Sequence, residues 1–351
     1  MCAPPARKGQ QMTGHDIVVI GASAGGVETL TKLVKDLPAD MAAAVFVVLH
    51  IPAYGTSVLP DILQRKGPLP ALHPKDGQAI EPGRIYVAPP DHHLVLYQGC
   101  IRLTRGPHEN RVRPAVDTLF RSAARAYGPR VVGVVLSGML DDGTAGAQAI
   151  KMRGGQVIVQ DPDEAMFAGM PRHALEHVKA DFVLPVAQIA PTLTRLTQTP
   201  VSETEMTPVP PEMETEVNQA MFKQDALESD HPGTPSAMAC PECHGVLWEI
   251  EDDGLLRYRC RVGHAYSPAS LLAEQSEVLE DALWVALRAF EENAALAERM
   301  KQRAQARGHL MSVRHFAEQV QEARQRAAII RQALLRGEVA ESISPDTVVT
   351  D

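Results

Sequence analysis

The stretch that decides the fold is Asp16-Ile17-Val18-Val19-Ile20, which runs directly into Gly21-Ala22-Ser23-Ala24-Gly25-Gly26. An apolar run of this length that ends in glycine and small residues predicts a buried β-strand followed by a tight turn. The residues from Val27 to Leu33 then look like a helix. We therefore predict a strand, a turn that contains Ser23, and a helix.

Ser23 has three interpretations in this turn. The pattern G-x-S-x-G is typical of a sharp turn that lifts a serine hydroxyl above the carboxyl edge of a sheet as a nucleophile. The serine could instead cap the following helix, with its oxygen accepting a backbone N–H. A dinucleotide-binding turn is disfavoured, because Ser23 occupies the position of the glycine that lets a pyrophosphate approach. The turn alone leaves nucleophile and cap open.

Similar apolar runs alternate with amphipathic stretches as far as residue 196. The predicted strands are Ile17–Ile20, Ala44–Leu49, Ile85–Ala88, Val131–Leu136, Gln156–Gln160 and Phe182–Leu184. This alternation predicts an α/β fold with a doubly wound, mainly parallel sheet. Leu94–Tyr97 and Ile101–Thr104 flank a glycine turn and predict an antiparallel hairpin beside it.

A histidine and an aspartate follow two of the other predicted strands. His50 ends the strand Ala44–Leu49, and Asp142 follows Val131–Leu136, just before a predicted helix at Thr144–Arg153. Each alone is ordinary, since a histidine after a strand is usually a surface residue and an aspartate before glycine is usually a turn or cap. The carboxyl ends of parallel strands meet at one edge, so the sequence predicts that Ser23, His50 and Asp142 converge there.

These motifs resemble those of the chemotaxis protein-glutamate methylesterases, the CheB-type catalytic domain, between Asp16 and about Leu196. The resemblance rests on the serine turn, on Leu49-His50 with Pro52, and on the Asp-Gly loop at Asp142. Three further matching segments are Tyr86-Val87-Ala88-Pro89-Pro90-Asp91-His92-His93, Arg113-Pro114-Ala115-Val116-Asp117-Thr118-Leu119-Phe120, and Gln160-Asp161-Pro162 followed by Gly169-Met170-Pro171.

The resemblance implies a role for each site residue. Ser23 would be the nucleophile, His50 the general base and Asp142 its orienting acid. The backbone near Met139 and Ala24 would stabilise an oxyanion, and His93 would be a second active-site histidine that contacts substrate. Ala24 stands where many relatives carry a hydroxyl residue, and Leu140 where many carry glycine. Those departures affect the expected substrate contacts rather than the triad.

The resemblance also implies substrates and partners. Such enzymes hydrolyse γ-methyl esters of glutamate on helical chemotaxis receptors, without a catalytic cofactor, and some deamidate particular glutamines. Relatives usually carry an N-terminal receiver domain, whereas residues 1–14 here are expected to be disordered, so regulation is expected by another route. The alternative is a non-catalytic adaptor in a chemosensory or stress-signalling complex.

The cysteines of the C-terminal half have the spacing of a metal site. Cys240, Cys243, Cys260 and His264 form C-x2-C-x16-C-x3-H, and a predicted hairpin around Asp252-Asp253-Gly254 joins the two halves. Four protein ligands leave no open position, so we predict a structural zinc in a zinc-ribbon-like module at residues 238–266. The alternative is a set of reduced, unliganded cysteines.

The remaining segments are predicted from composition and periodicity. Residues 15–196 form the esterase domain and residues 197–237 an acidic, Pro-rich linker, with a short helix near Val217–Leu227. Residues 267–336 predict a helical hairpin or coiled coil, which either packs internally or binds a regulatory partner or a second copy, and residues 337–351 a disordered tail. The two apolar stripes of the predicted hairpin are Leu279, Leu283, Ala286 and Phe290, then, after Gly308, Phe316, Val320, Ala323, Ala327, Ile330 and Leu334.

Composition excludes several classes of protein. The chain has 351 residues and a net charge of −9, and no basic region predicts a nucleic-acid partner. Its longest apolar run, Met41 to Leu49, is far shorter than the roughly 20 residues that cross a bilayer. Five cysteines, an odd number, argue against a secreted disulfide framework. We expect a cytoplasmic protein without membrane insertion.

Overall fold

The computed structural model of the chain describes residues 14–201, 208–223 and 233–341, the stretch 336–341 by its backbone alone. Contacts divide the chain into two compact units, residues 1–271 and 272–351. The segments predicted as disordered, 1–14 and 337–351, lie outside the described residues except for Gly14 and the end of the last helix.

The first unit is built on a seven-stranded sheet in which all neighbouring strands run parallel. Its strands are β1 (Ile17–Ala22), β2 (Ala44–Leu49), β3 (Ala71–Leu72), β4 (Ile85–Val87), β7 (Val131–Val135), β8 (Gln156–Gln160) and β9 (Phe182–Leu184). They are ordered β3-β4-β2-β1-β7-β8-β9. The predicted parallel α/β sheet is therefore confirmed, with β1 at its centre.

Helices cover both faces of this sheet. One face carries α1 (Gly26–Lys35), α2 (Leu59–Lys66) and α6 (Val186–Gln198), and the other carries α3 (Val116–Tyr127), α4 (Thr144–Met152) and α5 (Gly169–His177). Each face has its own hydrophobic core. In β1, Val18 and Ile20 belong to the core beneath α1, α2 and α6, whereas Ile17 and Val19 belong to the core beneath α3, α4 and α5. Burial on both faces explains why the strands appear in the sequence as continuous apolar runs.

The predicted hairpin forms a separate two-stranded antiparallel sheet, β5 (His93–Tyr97) and β6 (Cys100–Thr104). The edge strand β3 was not predicted. It has two residues and lies between Pro70 and Pro74, and prolines so close to a strand normally argue against one. Proline is tolerated here because β3 pairs on one side only.

The acidic linker differs from expectation over residues 208–223. Its helix, α7 (Pro211–Ala220), begins and ends earlier than the predicted Val217–Leu227, part of which lies outside the described residues. One face of α7 is buried through Met213, Val217 and Ala220. Glu216 on the same helix pairs with Arg121 of α3, Oε2 to Nε at 2.6 Å. The acidic composition of the segment as a whole did not predict this buried face. A short helix can pack through one apolar side while the rest of its residues are polar.

Residues 234–266, here called the ribbon, form a four-stranded antiparallel sheet in the first unit. Its strands are β10 (Thr234–Ala239), β11 (Val246–Asp252), β12 (Leu255–Cys260) and β13 (Ala265–Tyr266). The turn between β11 and β12 places Asp253 and Gly254 at positive φ, 48° and 80°. Both signs match the tight hairpin turns that favour Asp-Gly, so the predicted hairpin is confirmed.

The second unit contains two long helices, most of α8 (Pro268–Ala306) and all of α9 (Leu310–Glu341), separated around Gly308 at a φ of 72°. Their contact is formed by Leu283, Leu287, Phe290, Ala327, Ile330 and Leu334. Leu279, which the predicted stripe includes, is 61% exposed, whereas Leu287 is buried. The predicted and the observed residues both follow the helical period, so periodicity alone does not show where along α8 the contact with α9 begins.

Within the described residues, no helix combines the length and the hydropathy that crossing a membrane requires.

Candidate active site

The register of the sheet brings the ends of β1, β2 and β7 together. Ala22 of β1 pairs with Leu49 of β2, and the N–H of His50 donates to Ala22 O at 3.1 Å. On the other side, the N–H of Ser23 donates to Ser137 O at 3.0 Å. Neighbouring parallel strands lie about 4.8 Å apart, so Ser23 and His50 leave the sheet side by side.

The turn after β1 holds Ser23 without using it as a helix cap. The N-cap of α1 is Gly25, at a φ of 71°, and no side chain caps this end. The described hydrogen bonds of Ser23 are made by its backbone, including the bond from Gly26 N to Ser23 O at 2.9 Å. The helix-cap interpretation is therefore wrong, and the half-buried hydroxyl of Ser23 lies at the rim of the sheet.

His50 and Asp142 are joined by a short hydrogen bond. His50 Nε2 lies 2.7 Å from Asp142 Oδ2, and the two side chains are 14% and 3% exposed. Because Nε2 faces the carboxylate, Nδ1 is the ring nitrogen left for another partner. The arrangement gives His50 a fixed ring orientation and a buried negative charge beside it.

Asp142 is held by donors from three further groups. The backbone N–H of Val116 donates to Oδ2 at 2.7 Å, while Asp117 N and Asn110 Nδ2 each donate to Oδ1 at 3.1 Å. Burial favours the neutral acid, but the bond and charge of His50, with the two backbone donors, hold the pKa of Asp142 below its usual range. Asp142 is therefore a carboxylate at neutral pH.

Asp117 mirrors Asp142 at the start of the neighbouring helix. Its Oδ1 accepts from Gly143 N at 3.0 Å and from Gly146 N at 2.6 Å, at the N-terminus of α4. Asp142 accepts in turn from the N-terminus of α3. Burial, and then the charge of Asp142, raise the pKa of Asp117 well above its usual value. One carboxylate of this pair is thus ionised at the expense of the other.

The backbone near Ala24 and Met139 was predicted to bind an oxyanion. Among the hydrogen bonds of the described residues, neither Ala24 N nor Met139 N donates to a protein acceptor. Gly138 between the two loops is closely packed, since a Cβ there would lie 2.9 Å from Ser23 Cβ. Free backbone donors at a strand end are what a developing oxyanion needs.

His93 does not reach this rim. It is fully buried, with Nε2 2.8 Å from Pro107 O and Nδ1 accepting from Ala115 N at 3.2 Å. Burial lowers the pKa of His93 to about 4, so the ring is neutral. The prediction of a substrate contact is therefore corrected. Both ring nitrogens of His93 are hydrogen-bonded to backbone groups, and one of these groups belongs to Ala115, directly before α3.

Asn110 is a site residue that the sequence did not reveal. It lies in the loop between β6 and α3 and donates from Nδ2 to Asp142 and to Asp117 Oδ2, the latter at 2.8 Å. In the sequence, Asn110 is notable only because it lies just before the segment Arg113–Phe120, which resembles the family. That segment contains no pattern that assigns Asn110 a role in the site. Its partners are distant in the chain, so spacing does not predict them.

The four predicted metal ligands lie together in the ribbon, with ligand atoms within 4.8 Å of one another. Cys240 Sγ and Cys260 Sγ lie 3.6 and 3.5 Å from His264 Nδ1, and Cys243 Sγ lies 3.6 Å from Cys260 Sγ. Tetrahedral zinc with its usual bond lengths separates such ligand atoms by about 3.5 to 3.8 Å. The cluster is thus compatible with a zinc ion.

The other ring nitrogen of His264 has a carboxylate partner. His264 Nε2 lies 3.2 Å from Glu242 Oε2, and Tyr266 OH donates to Glu242 Oε1 at 3.0 Å. A metal-binding histidine commonly donates its second N–H to a carboxylate in this way. The arrangement leaves Nδ1 facing the sulfurs, and this is the donor set that zinc prefers.

Comparison with known proteins agrees with the resemblance. Residues 18–193 match the family model described as CheB methylesterase. Over 190 residues the chain is 38% identical to a protein-glutamate methylesterase/protein-glutamine glutaminase of Methanosarcina mazei, covering 52% of each chain. A protein of that name from a Nocardioides species is 40% identical over 186 residues, 52% of this chain and 50% of that one.

A solved structure shows the same fold. The crystal structure of the Thermotoga maritima CheB methylesterase catalytic domain is 37% identical, with a TM-score of 0.50, and the match covers 52% of this chain and 98% of that one. The chain spans about half the length of the curated relatives it matches. The matched region holds the parallel sheet and the strand ends described above. The chain therefore belongs to the CheB methylesterase family.

Proposed function

We propose that this protein hydrolyses γ-methyl esters of glutamate on chemotaxis receptors or related signalling proteins. The observation that carries the proposal is the 2.7 Å bond between His50 Nε2 and Asp142 Oδ2, beside a serine at the paired strand end. An unassisted serine hydroxyl is a poor nucleophile and needs such a base. The names of the relatives support the choice of substrate.

The reaction follows from these positions. Ser23 Oγ attacks the ester carbonyl carbon while His50 takes its proton through Nδ1, and Asp142 stabilises the imidazolium. The oxyanion is bound by the N–H groups of Ala24 and Met139, each contributing about 3 kcal/mol. As the C–OCH3 bond breaks, His50 gives its proton to the departing methoxide, which leaves as methanol. Water then attacks the acyl-serine and gives a proton to His50; the acyl–Oγ bond breaks, His50 returns the proton to Ser23 Oγ, and the glutamate side chain of the substrate protein is left as a free carboxylate. Substrate contacts are made by the rim around Ser23.

That rim suits a protein substrate. Large apolar side chains on the loops after β2, β7 and β8 are exposed: Tyr54, Met139, Met166 and Phe167. Met166 lies close to the serine turn, since a Cβ on Gly25 would meet its Cβ at 3.0 Å. Apolar surface at the mouth of a site indicates binding of another macromolecule. An ester on a receptor helix, rather than a small polar ester, fits this surface.

Methanol release tests the proposal. Purified methylated receptor is incubated with the protein, with Ser23→Ala, and with Ser236→Ala as a matched serine control in the ribbon. We expect methanol from the wild type and from Ser236→Ala, and none above background from Ser23→Ala. Equal background from all three would favour the non-catalytic adaptor. Ammonia release from glutamine-containing receptor tests the glutaminase reaction, which uses the same acyl-serine.

We further infer that Cys240, Cys243, Cys260 and His264 hold a structural zinc ion. All four positions of a tetrahedron are filled by protein, so the ion would stabilise the ribbon without entering the reaction. Metal analysis of the wild type should give one zinc per chain, and Cys240→Ser should lose it. The predicted cytoplasmic location and the binding of a regulatory partner or second copy by the C-terminal helices stay predictions.

A further inference from the structure

Asn110 lies where three parts of the first unit meet. It precedes α3, is 9% exposed, and has a φ of 50°, a conformation that asparagine tolerates better than most residues. Its backbone N–H donates to Ala265 O of β13 at 2.8 Å, and Ala265 N donates back to His108 O at 3.2 Å. The loop that carries Asn110 therefore pairs with the last strand of the ribbon.

The side chain of Asn110 uses all of its hydrogen-bonding capacity. Its two amide hydrogens go to Asp142 Oδ1 and Asp117 Oδ2. Its oxygen accepts from Ser267 N at 3.1 Å and from Ser270 Oγ at 3.2 Å. An asparagine amide offers two donors and two acceptor sites, so nothing is left over. The orientation of the amide follows from Asp142, whose carboxylate needs a donor, and from Ser267 N and Ser270 Oγ, which both reach the amide oxygen. Ser267 N also donates to Ser270 Oγ, at 2.9 Å.

Ser267 and Ser270 belong to the C-terminal side of this junction. Ser267 follows β13, and Ser270 lies in the first turn of α8, fully buried and within the first unit. Ser267 Oγ accepts from Ser270 N at 3.0 Å, which closes the start of the helix. The start of α8, directly after the ribbon, is thus connected to Asp142 through one amide group.

We propose that Asn110 is a positioning residue through which the last strand of the ribbon and the start of α8 hold Asp142 in place. This rests on the proposed function, because it assumes that Asp142 orients His50. The described hydrogen bonds of the Asn110 side chain go to Asp117, Asp142, Ser267 and Ser270, and none goes to Ser23 or His50. It supplies the donor that the two adjacent carboxylates share, and the serines keep the amide turned toward them.

The consequence is a specific pattern of coupled effects. Without the amide, Asp142 loses one of its four donors and faces Asp117 with no shared hydrogen bond between them. A hydrogen bond to a charged group is worth enough to slow the acylation of Ser23 roughly tenfold to a hundredfold. Without Ser270 Oγ the amide keeps its donors but loses part of what orients it, so the loss should be smaller, roughly threefold to tenfold.

Labelling of the full-length protein by a small fluorophosphonate tests this, since the probe reports serine activation independently of any receptor. Asn110→Gly removes the side chain and accommodates the positive φ. We expect it to lower the maximal labelling rate roughly tenfold to a hundredfold while the probe concentration for half-maximal rate stays the same. Ser270→Ala should show the smaller loss, and the double variant should be no slower than Asn110→Gly alone.

Ser236→Ala is the matched control, because the described hydrogen bonds of Ser236 Oγ, to Leu247 O at 2.8 Å and from Met238 N at 3.1 Å, both lie within the ribbon. It should label like the wild type. Unchanged labelling of folded Asn110→Gly, or multiplied losses in the double variant, would overturn the inference. If Asn110→Gly does not fold, equal rates for Ser270→Ala and Ser236→Ala would overturn it. An unlabelled wild type would instead reject the proposed function itself.

Discussion

The two polar clusters of the first unit are held together in different ways. His50 and Asp142 are 92 positions apart in the chain and meet because parallel strands end at one edge of a sheet with two extensive hydrophobic cores. Cys240 and His264 are 24 positions apart and rest on a small core of six buried residues. The first cluster is positioned by the fold, whereas the second contributes to its own fold.

Substitutions in the two clusters should therefore affect different properties, activity in the first and folding in the second. Changing a side chain at the rim of the sheet should remove activity and leave the domain folded, because the strands pack without it. Changing a ligand in the ribbon should unfold the ribbon, because so small a core rarely holds a domain by itself. Between the two clusters, Glu216 of α7 is buried against Arg121 of α3 and Arg257 of the ribbon, and we call this group of charges the junction. Substitutions in the junction should lower the stability of the unit.

The largest effect is expected from loss of one of the four proposed zinc ligands. Cys243→Ser should abolish zinc binding and unfold the ribbon, since structural zinc supplies on the order of 10 kcal/mol of folding free energy. Zinc content and limited proteolysis within residues 234–266 measure this. Ser236→Ala should keep the zinc and the protection. Stoichiometric zinc and unchanged protection in Cys243→Ser would remove the contrast between the clusters.

Asp142→Asn should break the chemistry without unfolding the domain. Replacement of the acid in a Ser-His-Asp triad costs about 10⁴-fold in turnover in better-studied enzymes, and we expect a similar loss in methanol release. Its neighbour Asp141 is also buried, and burial raises its pKa, but it makes no bond to His50. Asp141→Asn should therefore lose less than about tenfold in turnover. Comparable losses in both variants would indicate a general loss of structure.

The junction is tested by two glutamates of the same helix. Glu216 is buried against Arg121 and Arg257, with N–O distances of 2.6 Å to each, so Glu216→Gln should lower the free energy of unfolding by about 3 to 5 kcal/mol. Glu214 pairs with Arg125 but is 48% exposed, and Glu214→Gln should cost under about 1 kcal/mol. Urea unfolding measures both. Similar values would show that the buried network does not stabilise the junction.

The smallest effect concerns the pH dependence of stability. The pKa of His93 is near 4 in the folded protein, against 6.5 when exposed, so below pH 6.5 the unfolded chain binds a proton that the folded one does not. Stability should therefore fall as pH drops toward 4, by about 2 kcal/mol between pH 7 and pH 5 from this residue. His93→Gln should lack this component in urea unfolding at the two pH values. An identical pH dependence in both proteins would contradict the prediction.

Most of the sheet was predictable because burial on both faces leaves an uninterrupted apolar run. The predicted and observed strands agree at Ala44–Leu49, Gln156–Gln160 and Phe182–Leu184, and differ by one or two residues at the others. The strand Ala71–Leu72 was not predictable, since two residues between prolines have no periodicity. The helix at Pro211–Ala220 was predicted too far along the chain, because its three buried apolar residues are spread among acidic ones and the partner of Glu216, Arg121, is distant in the sequence.

The residues of the candidate site were likewise predictable where they depend on local sequence and unpredictable where they depend on distant contacts. Residues at strand ends, such as Ser23 and His50, could be proposed from pattern, because a strand end is a local property and parallel strands share an edge. His93 was assigned to the wrong environment, since nothing local shows that a residue opening β5 is enclosed by the loop at Pro107 and Ala115. Asn110 was not proposed at all.

The amino-acid sequence by itself determined the alternation of strands and helices, the serine turn and the cysteine spacing, because each depends on residues close together in the chain. Only the tertiary structure decided which groups complete the site. Asn110 bonds Asp142 32 positions away and Ser267 157 positions away. Hydrogen bonds are short and directional, so such partners are determined by packing and not by any period in the sequence.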